Sequence, residues 1–215
     1  MSLLSSDLLI QFIIISPALL VSMVFHEVAH GYVAYRLGDQ TAKRQGRLSL
    51  NPIRHLEVFG TLVLFLTFFG SGGRMLFGWA KPVPINPRFF HSPQQGMMLV
   101  GAAGPFANFL LALISALALE NLEITNHWLA VGLFRVFQLN IILMVFNLIP
   151  VPPLDGSRIL GGFLPRSAYL RWVQLDQYGM LFIMLLLFLL MGPMSGVLYE
   201  VITALYRLFL PSLVM

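Results

Sequence analysis

Charged side chains are scarce in this sequence of 215 residues. They account for 10% of the chain, whereas 58% of its residues are hydrophobic. An ordinary soluble domain carries about 25% charged residues, and so few charges cannot coat a water-facing globule of this size. The composition therefore excludes an ordinary soluble domain and predicts a bundle of membrane helices.

Cysteine is absent altogether, which excludes disulfide bonds and thiolate metal ligands. Any bound metal must therefore be held by His, Asp or Glu side chains. The formal net charge of +4 comes from basic residues that are few and scattered, so the sequence does not indicate a nucleic-acid partner. Their positions are better explained by the topology of a membrane protein.

Five strong hydrophobic segments and one ambiguous segment follow one another along the chain. The ambiguous segment, residues 58–69, is short for a complete crossing, because a helix needs about 20 residues to span the bilayer core. Since no repeat or soluble appendage is found, we expect a single domain over residues 1–215. The predicted fold is an all-α membrane bundle of about five to six transmembrane helices. The strong segments are residues 8–37, 96–119, 128–149, 173–191 and 195–210.

Glycine and proline interrupt the chain between the first two long hydrophobic segments. Pro82, Pro84 and Pro87 exclude a helix there, because proline lacks the backbone N–H that helix hydrogen bonding requires. The stretch is consistent with an edge strand or with a re-entrant loop sheltered by protein. We therefore predict a membrane-embedded extended hairpin over residues 70–87, and an edge strand at residues 81–87 is one of the two forms that it can take.

Basic residues cluster on one side of the predicted spans. One group follows the first span, another lies between the third and fourth strong segments (residues 128–149 and 173–191), and the positive-inside rule places both in the cytoplasm. The predicted topology is a multi-pass protein of the cell membrane with its N-terminus outside. Arg135, near the outer end of its span, is an exception. The basic residues are Arg36, Lys43, Arg44, Arg47, Arg54, Arg158, Arg166, Arg171 and Arg207, and the opposite loops hold Asp7, Glu120 and Glu123.

An H-E-x-x-H pattern occupies residues 26–30. On a helix, His26 and His30 lie on one face, one turn apart, so that both imidazoles can bind one tetrahedral Zn²⁺. Glu27 can then reach a water beside the metal as a general base. The alternative is a polar crevice that holds these side chains without a metal. Ionisable residues inside a membrane helix are costly, which favours the functional interpretation.

A catalytic zinc site usually has three protein ligands, and Asp155 is the preferred candidate for the third. It follows the prolines that end the third strong segment, residues 128–149, at Pro150. Its predicted depth, on the cytoplasmic side, is similar to that of the two histidines. The alternative is that Asp155 caps the short helix that follows. Glu57, Asp39 and Asp176 are weaker candidates because each lies nearer an aqueous loop.

Two amides lie at the same predicted depth. Asn108 and Asn147 are candidate catalytic residues, since a side-chain amide can donate to a developing oxyanion or to the substrate backbone. The alternative for both is a hydrogen bond between helices. His55, His91 and His127 lie in predicted loops, where a histidine is usually solvated, and we do not assign them as ligands.

Three motifs in this order resemble those of the site-2 protease family of intramembrane metalloproteases. The resemblance implies that His26, His30 and Asp155 bind zinc, that Glu27 activates water, and that Asn108 and Asn147 orient the substrate or the site. A further stretch, GWAKPVP at residues 78–84, is similar to the compact bacterial branch that processes sporulation factors, and the sequence carries neither a PDZ nor a CBS domain. The motifs are FHEVAHG at 25–31, GAAGPFAN at 101–108 and NLIPVPPLDG at 147–156.

The predicted function is therefore hydrolysis of a peptide bond in the transmembrane segment of another membrane protein, with one Zn²⁺ per chain. The expected partners are that substrate segment and the lipid bilayer. The alternative is a non-catalytic membrane protein that binds or transports metal. A transporter needs polar residues along a path through the bilayer, and the last two hydrophobic segments contain almost none. The sequence leaves the oligomeric state and the substrate open.

Overall fold

The computed structural model describes residues 6–192 and 195–211. Every regular element in these residues is helical, and no strand occurs among them, which confirms the all-α prediction. The nine described α-helices are α1 (Ser6–Arg36), α2 (Thr41–Arg44), α3 (Val58–Gly70), α4 (Pro93–Asn121), α5 (His127–Leu148), α6 (Asp155–Phe163), α7 (Arg166–Gln174), α8 (Gly179–Met191) and α9 (Ser195–Phe209).

Four helical stretches of the described chain are long and apolar enough to cross a membrane. They are α1, α4, α5 and the continuous stretch Arg166–Leu189, which joins α7 and α8 through a 3₁₀ turn. Between 11% and 33% of the residues in their most apolar windows are buried, so most of their hydrophobic surface faces outward. Such a surface requires a lipid environment, and the chain is a multi-pass membrane protein.

A count of five to six spans would require the two remaining apolar helices, α3 and α9, to cross the bilayer. Both are shorter than a complete crossing needs. α3 has 13 residues and α9 has 15, which correspond to about 20 and 22 Å at 1.5 Å per residue. The hydrocarbon core is about 30 Å thick. The structure therefore supports four spans, and a complete crossing by α3 or α9 stays a prediction.

Helix α4 occupies the centre of the bundle, where it packs against α1, α5 and α6. Small buried residues on α4, Ala112 and Ala116, allow the α5 side chains Phe137 and Ile141 to approach closely, as is typical of membrane helix packing. Leu210, just after α9, completes this cluster. The central helix thereby brings the motifs of α1, α4 and α6 together.

The predicted hairpin consists of a helix and an irregular return segment. Residues 58–70 form α3, and residues 75–86 have neither helical nor strand structure. The edge-strand alternative for residues 81–87 is therefore wrong. The two arms approach closely at Gly60 and Gly78, where an added Cβ on Gly60 would lie 2.1 Å from the Trp79 carbonyl oxygen. Glycine at this position lets the return segment pack directly against α3.

Side chains bind the backbone of the return segment in place of a partner strand. Arg47 is buried and donates from Nη2 to the carbonyl oxygens of Lys81 and Pro82, at 2.5 and 3.3 Å. The hydroxyl of Thr67 accepts from the Phe77 N–H at 3.1 Å. Irregular backbone at membrane depth is tolerated only where protein satisfies its polar groups. Further bonds of the segment are Lys81 N–H to the His55 carbonyl (2.8 Å) and Asn86 N–H to Asp39 Oδ2 (2.7 Å).

Candidate metal centre and active site

The C-terminal half of α1 carries two buried histidines on one face. His26 and His30 are one turn apart, and their Nε2 atoms lie 3.0 Å from each other. Both side chains are largely buried against α4. The helical spacing predicted from the H-E-x-x-H pattern thus brings both imidazoles to one point.

Asp155 reaches the same point from the junction of α5 and α6. Its Oδ2 lies 3.2 Å from Nε2 of His26 and 3.3 Å from Nε2 of His30. Leu154 is the N-cap of α6 and Asp155 is the first helical residue, with no capping hydrogen bond from a side chain. The buried Oδ2 has no hydrogen-bond partner among the described residues. The structure therefore favours a ligand over a helix cap at this position.

Two glycines make this convergence possible. A Cβ on Gly104 of α4 would lie 2.4 Å from His30 Nε2 and 2.5 Å from His26 Cε1. A Cβ on Gly156 would lie 2.3 Å from the Leu148 carbonyl oxygen. Real Cβ contacts are not this short, so the backbones of α4 and α6 approach the site only because these residues lack a side chain.

Hydrogen bonds from Nδ1 orient both imidazoles. His26 Nδ1 lies 2.6 Å from Oδ1 of Asn108, and His30 Nδ1 lies 2.7 Å from the Val100 carbonyl oxygen. Because both partners are acceptors, each Nδ1 carries the proton and donates it. Each Nε2 then presents a lone pair toward Asp155. This is how outer-shell partners orient metal-ligating histidines.

The support of His26 continues through a chain of buried polar groups. Asn108 Nδ2 donates to Asn140 Oδ1 at 2.7 Å, and Asn140 Nδ2 donates to Ser22 Oγ at 2.7 Å. All three side chains are fully buried. Neither Asn140 nor Ser22 was identified from the sequence, although an amide inside the apolar run of α5 is a signal that could have revealed Asn140.

We expect Asn108→Ala to lower zinc affinity about 10- to 100-fold, the usual cost of losing an outer-shell partner. Asn121→Ala is the matched control, because Asn121 lies at the end of the same helix and bonds only to the Leu117 carbonyl among the described residues. Competition with a fluorescent chelator measures both affinities. Equal affinities in the two variants would contradict the role of Asn108.

Glu27 lies beside the three converging atoms, between the site and the return segment. Its Oε2 accepts a hydrogen bond from the Val83 N–H at 2.8 Å. A cavity of about 400 Å³ opens onto this group and onto both histidines. Its described lining is His26, Glu27, His30, Pro82, Val83, Ile85, Met97, Val100, Gly101, Asn147, Pro153, Asp155 and Arg158.

The two candidate amides occupy different positions. Asn147 lines the cavity, and its Nδ2 donates to the Leu143 carbonyl oxygen at 3.0 Å. Asn108 lies behind His26 and is fully buried. The geometry therefore brings Asn147 to the cavity and favours the interhelical alternative for Asn108, which contacts His26 rather than the open space.

The weaker ligand candidates have structural partners elsewhere. Glu57 caps α3 through the Gly60 N–H, Asp39 binds Thr41 and the return segment, and Asp176 pairs with Arg158. His55 bonds to the Ser49 carbonyl oxygen. In the part of the chain that the structure describes, His26, His30 and Asp155 form the one group of three side chains able to hold a metal ion.

The donor set fits zinc. In a tetrahedral site with bonds of about 2.0–2.1 Å, neighbouring ligand atoms lie about 3.3 Å apart, and the three atoms here are separated by 3.0, 3.2 and 3.3 Å. Two lone pairs and a carboxylate oxygen at these distances repel one another unless a cation lies between them. Two imidazoles and one carboxylate also form a ligand set known from catalytic zinc sites.

Comparison with known proteins points to the same chemistry. The model of Peptidase family M50 matches residues 122–191, which include α5 and Asp155. The chain is 41% identical over 194 residues to a protein of Bacillus subtilis (strain 168) provisionally named zinc metalloprotease YwhC, covering 86% of this chain and 84% of that protein. No solved structure matches the chain at a significant level.

More distant relatives have names of the same kind. Rip2 of Mycobacterium tuberculosis (strain H37Rv), also provisionally named a zinc metalloprotease, is 32% identical over 194 residues, which cover 87% of this chain and 72% of Rip2. Zinc metalloprotease MJ0392 of Methanocaldococcus jannaschii is 26% identical over 149 residues, covering 69% of this chain and 34% of that protein. Together with the match to the family model, the similarities to YwhC and Rip2 show that the chain belongs to peptidase family M50, the site-2 protease family of zinc metalloproteases.

Proposed function

We propose that this protein is an intramembrane zinc metalloprotease that cleaves a peptide bond in the transmembrane segment of another membrane protein. The observation that carries the proposal is the convergence of His26, His30 and Asp155, with Glu27 beside them, inside a bundle of membrane-spanning helices. A site enclosed by membrane-spanning helices suits a substrate that itself lies in the membrane better than it suits a soluble peptide.

His26 Nε2, His30 Nε2 and Asp155 Oδ2 hold the metal in this proposal. When bound, zinc supplies a Lewis acid that polarises the scissile carbonyl and makes water more acidic. The Glu27 carboxylate accepts the proton from the attacking water and passes it to the leaving amine nitrogen. The Val83 N–H holds this carboxylate in place through Oε2.

The substrate must unwind locally before it is cleaved. In a transmembrane helix each carbonyl oxygen accepts an intrahelical hydrogen bond, and the backbone shields the carbonyl carbon from attack. Pro82, Val83 and Ile85 of the return segment line one wall of the cavity. We propose that this wall receives the unwound peptide and that the hairpin of α3 and the return segment is embedded in the membrane.

Cleavage of defined membrane-spanning peptides tests the proposed function. The purified protein is reconstituted in liposomes with a set of single-span peptides that differ in helix stability, and the products are located by mass spectrometry. We expect zinc-dependent cleavage within the spanning residues of the less stable helices. Cleavage confined to water-exposed flanks, or undiminished when a chelator has removed the zinc, would contradict the proposal.

Substitution at Val83 tests the link between the return segment and Glu27. We expect Val83→Pro to bind zinc normally and to lose at least about tenfold in cleavage rate, because proline removes the N–H that positions the general base. Val83→Ala keeps this N–H and is the matched control. If both variants cleave at the same rate, the Val83 N–H does not position Glu27.

The proposed orientation places α2 and the loop between α6 and α7 in the cytoplasm. The natural chain has no cysteine, so a single introduced cysteine reports its own location. Arg44→Cys and Arg166→Cys are expected to react with a membrane-impermeant maleimide only from the cytoplasmic side, and Glu123→Cys only from the outside. All three positions are exposed. The reverse labelling pattern would overturn the orientation.

A further inference from the structure

Arg158 is the one Lys or Arg among the described residues that line the site cavity. It lies on α6, three residues after Asp155, so that both side chains leave the same face of that helix. The sequence pattern accounts for Arg158 only as one of the basic residues on the predicted cytoplasmic side. Its position in the wall of the cavity requires a separate explanation.

The arginine is held in place from both ends. Its Cβ lies against Gly101 of α4, where an added Cβ on the glycine would come within 2.7 Å. At the other end, Nη1 donates to Asp176 Oδ2 at 2.5 Å. Trp172 further fastens α6 to α7 by donating from Nε1 to the Ser157 carbonyl oxygen at 2.9 Å. Such a support limits the directions in which the guanidinium can point.

Donors remain on this guanidinium after the ion pair has formed. Arginine carries five N–H groups, and in the described part of the chain Nη1 alone has an acceptor. The side chain is also about one quarter exposed. Arg158 therefore presents a fixed positive charge with free N–H groups at a cavity lined by the metal-site side chains and by apolar residues such as Val83, Ile85 and Met97.

The backbone of an unwound substrate supplies hydrogen-bond acceptors for these N–H groups. Once its helical hydrogen bonds are broken, each residue exposes a carbonyl oxygen that needs a donor in a place with little water. We propose that Arg158 binds backbone carbonyl oxygens of the unwound substrate at the α6 side of the cavity, while Asp176 orients its guanidinium. This inference rests on the proposed proteolytic function and adds a substrate-binding residue to it.

Four variants test the inference on a membrane-spanning peptide that the wild-type protein cleaves. In Arg158→Met, which keeps the apolar stem, we expect kcat/KM to fall about 10- to 100-fold, the effect of losing a hydrogen bond to a charged group. Zinc content should not change. Arg158→Lys should recover part of the loss because it keeps the charge. Arg171→Met removes an exposed charge on the neighbouring α7 and should cleave as the wild type does.

Asp176→Asn separates substrate binding from a purely structural role. It breaks the ion pair but leaves the arginine in the cavity, so we expect a loss of less than about threefold, well below that of Arg158→Met. Equal losses in the two variants, or loss of zinc from Arg158→Met, would show that the pair only fixes α6 and would overturn the inference. If the wild type cleaves the peptide and Arg158→Met cleaves it equally fast, only the inference about Arg158 is overturned. If the wild type does not cleave the peptide at all, the proposed function is contradicted as well.

Discussion

Glu27→Gln is expected to lower kcat by about 10²- to 10⁴-fold, the typical contribution of a general base, while the protein retains its zinc. Glutamine keeps the shape of the side chain and an oxygen that can accept the Val83 N–H hydrogen bond, but it cannot take a proton from water at neutral pH. Cleavage of a reconstituted membrane-spanning peptide and the zinc content of the same preparation measure the two quantities.

The control for this substitution is Glu200→Gln, which changes an exposed carboxylate on α9. It should cleave at the wild-type rate. A Glu27→Gln protein that cleaves as fast as the wild type would remove Glu27 from the mechanism. If Glu27→Gln also lost its zinc, Glu27 would be supporting the metal site rather than handling the proton.

Gly104→Ala is the second change with a large expected effect. The new Cβ would lie 2.4 Å from His30 Nε2 and 2.5 Å from His26 Cε1, so that the imidazoles must leave the point where they meet Asp155. We expect zinc affinity to fall at least about 100-fold and cleavage to fall with it. Alanine forms helices better than glycine does, so the helix content measured by circular dichroism should be unchanged.

Gly132→Ala provides the comparison, because a Cβ at this position of α5 has no neighbour within 4 Å. It should bind zinc and cleave as the wild type does. Normal zinc affinity in Gly104→Ala would show that α4 does not approach the histidines as closely as the structure indicates.

The polar residues of the metal centre could be predicted because they are costly in a membrane helix. His26, Glu27 and His30 interrupt the apolar run of α1, and their spacing alone places the two imidazoles on one face. Asp155 was harder to identify, because an acidic residue at the start of a helix is also a common cap. Only the packing of α6 against α4, which brings the Asp155 carboxylate to the two histidines of α1, distinguishes the two interpretations.

The roles of Asn140 and Ser22 could not be predicted from the sequence, because each side chain can donate a hydrogen bond within its own helix. Asn140 donates to the Val136 carbonyl oxygen and Ser22 to the Ala18 carbonyl oxygen, each one turn back in its own helix. Such local bonds lower the cost of a polar side chain in a membrane helix, and they hide its role in joining two helices. Their bonds to each other join positions 118 residues apart in the chain, and this relation exists only in the folded bundle.

The return segment shows a different limit of sequence reasoning. Its prolines exclude a helix, as predicted, but the absence of a helix does not create a strand. The backbone groups of this segment bind the side chains of Arg47, Asp39 and Thr67. The bonds to Arg47 and Asp39 join residues that are 34 and 47 positions apart. No local pattern indicates that these three side chains replace a partner strand.

Zinc analysis of the purified protein tests the central claim most directly. Elemental analysis by mass spectrometry should find about one zinc per chain in the wild type, as expected for a single site with three protein ligands. His26→Ala should contain almost none, whereas His127→Ala, which changes an exposed histidine at the start of α5, should contain as much as the wild type. A wild-type protein without zinc, or a His26→Ala protein with a full complement of it, would contradict the assignment of His26, His30 and Asp155 as the metal site.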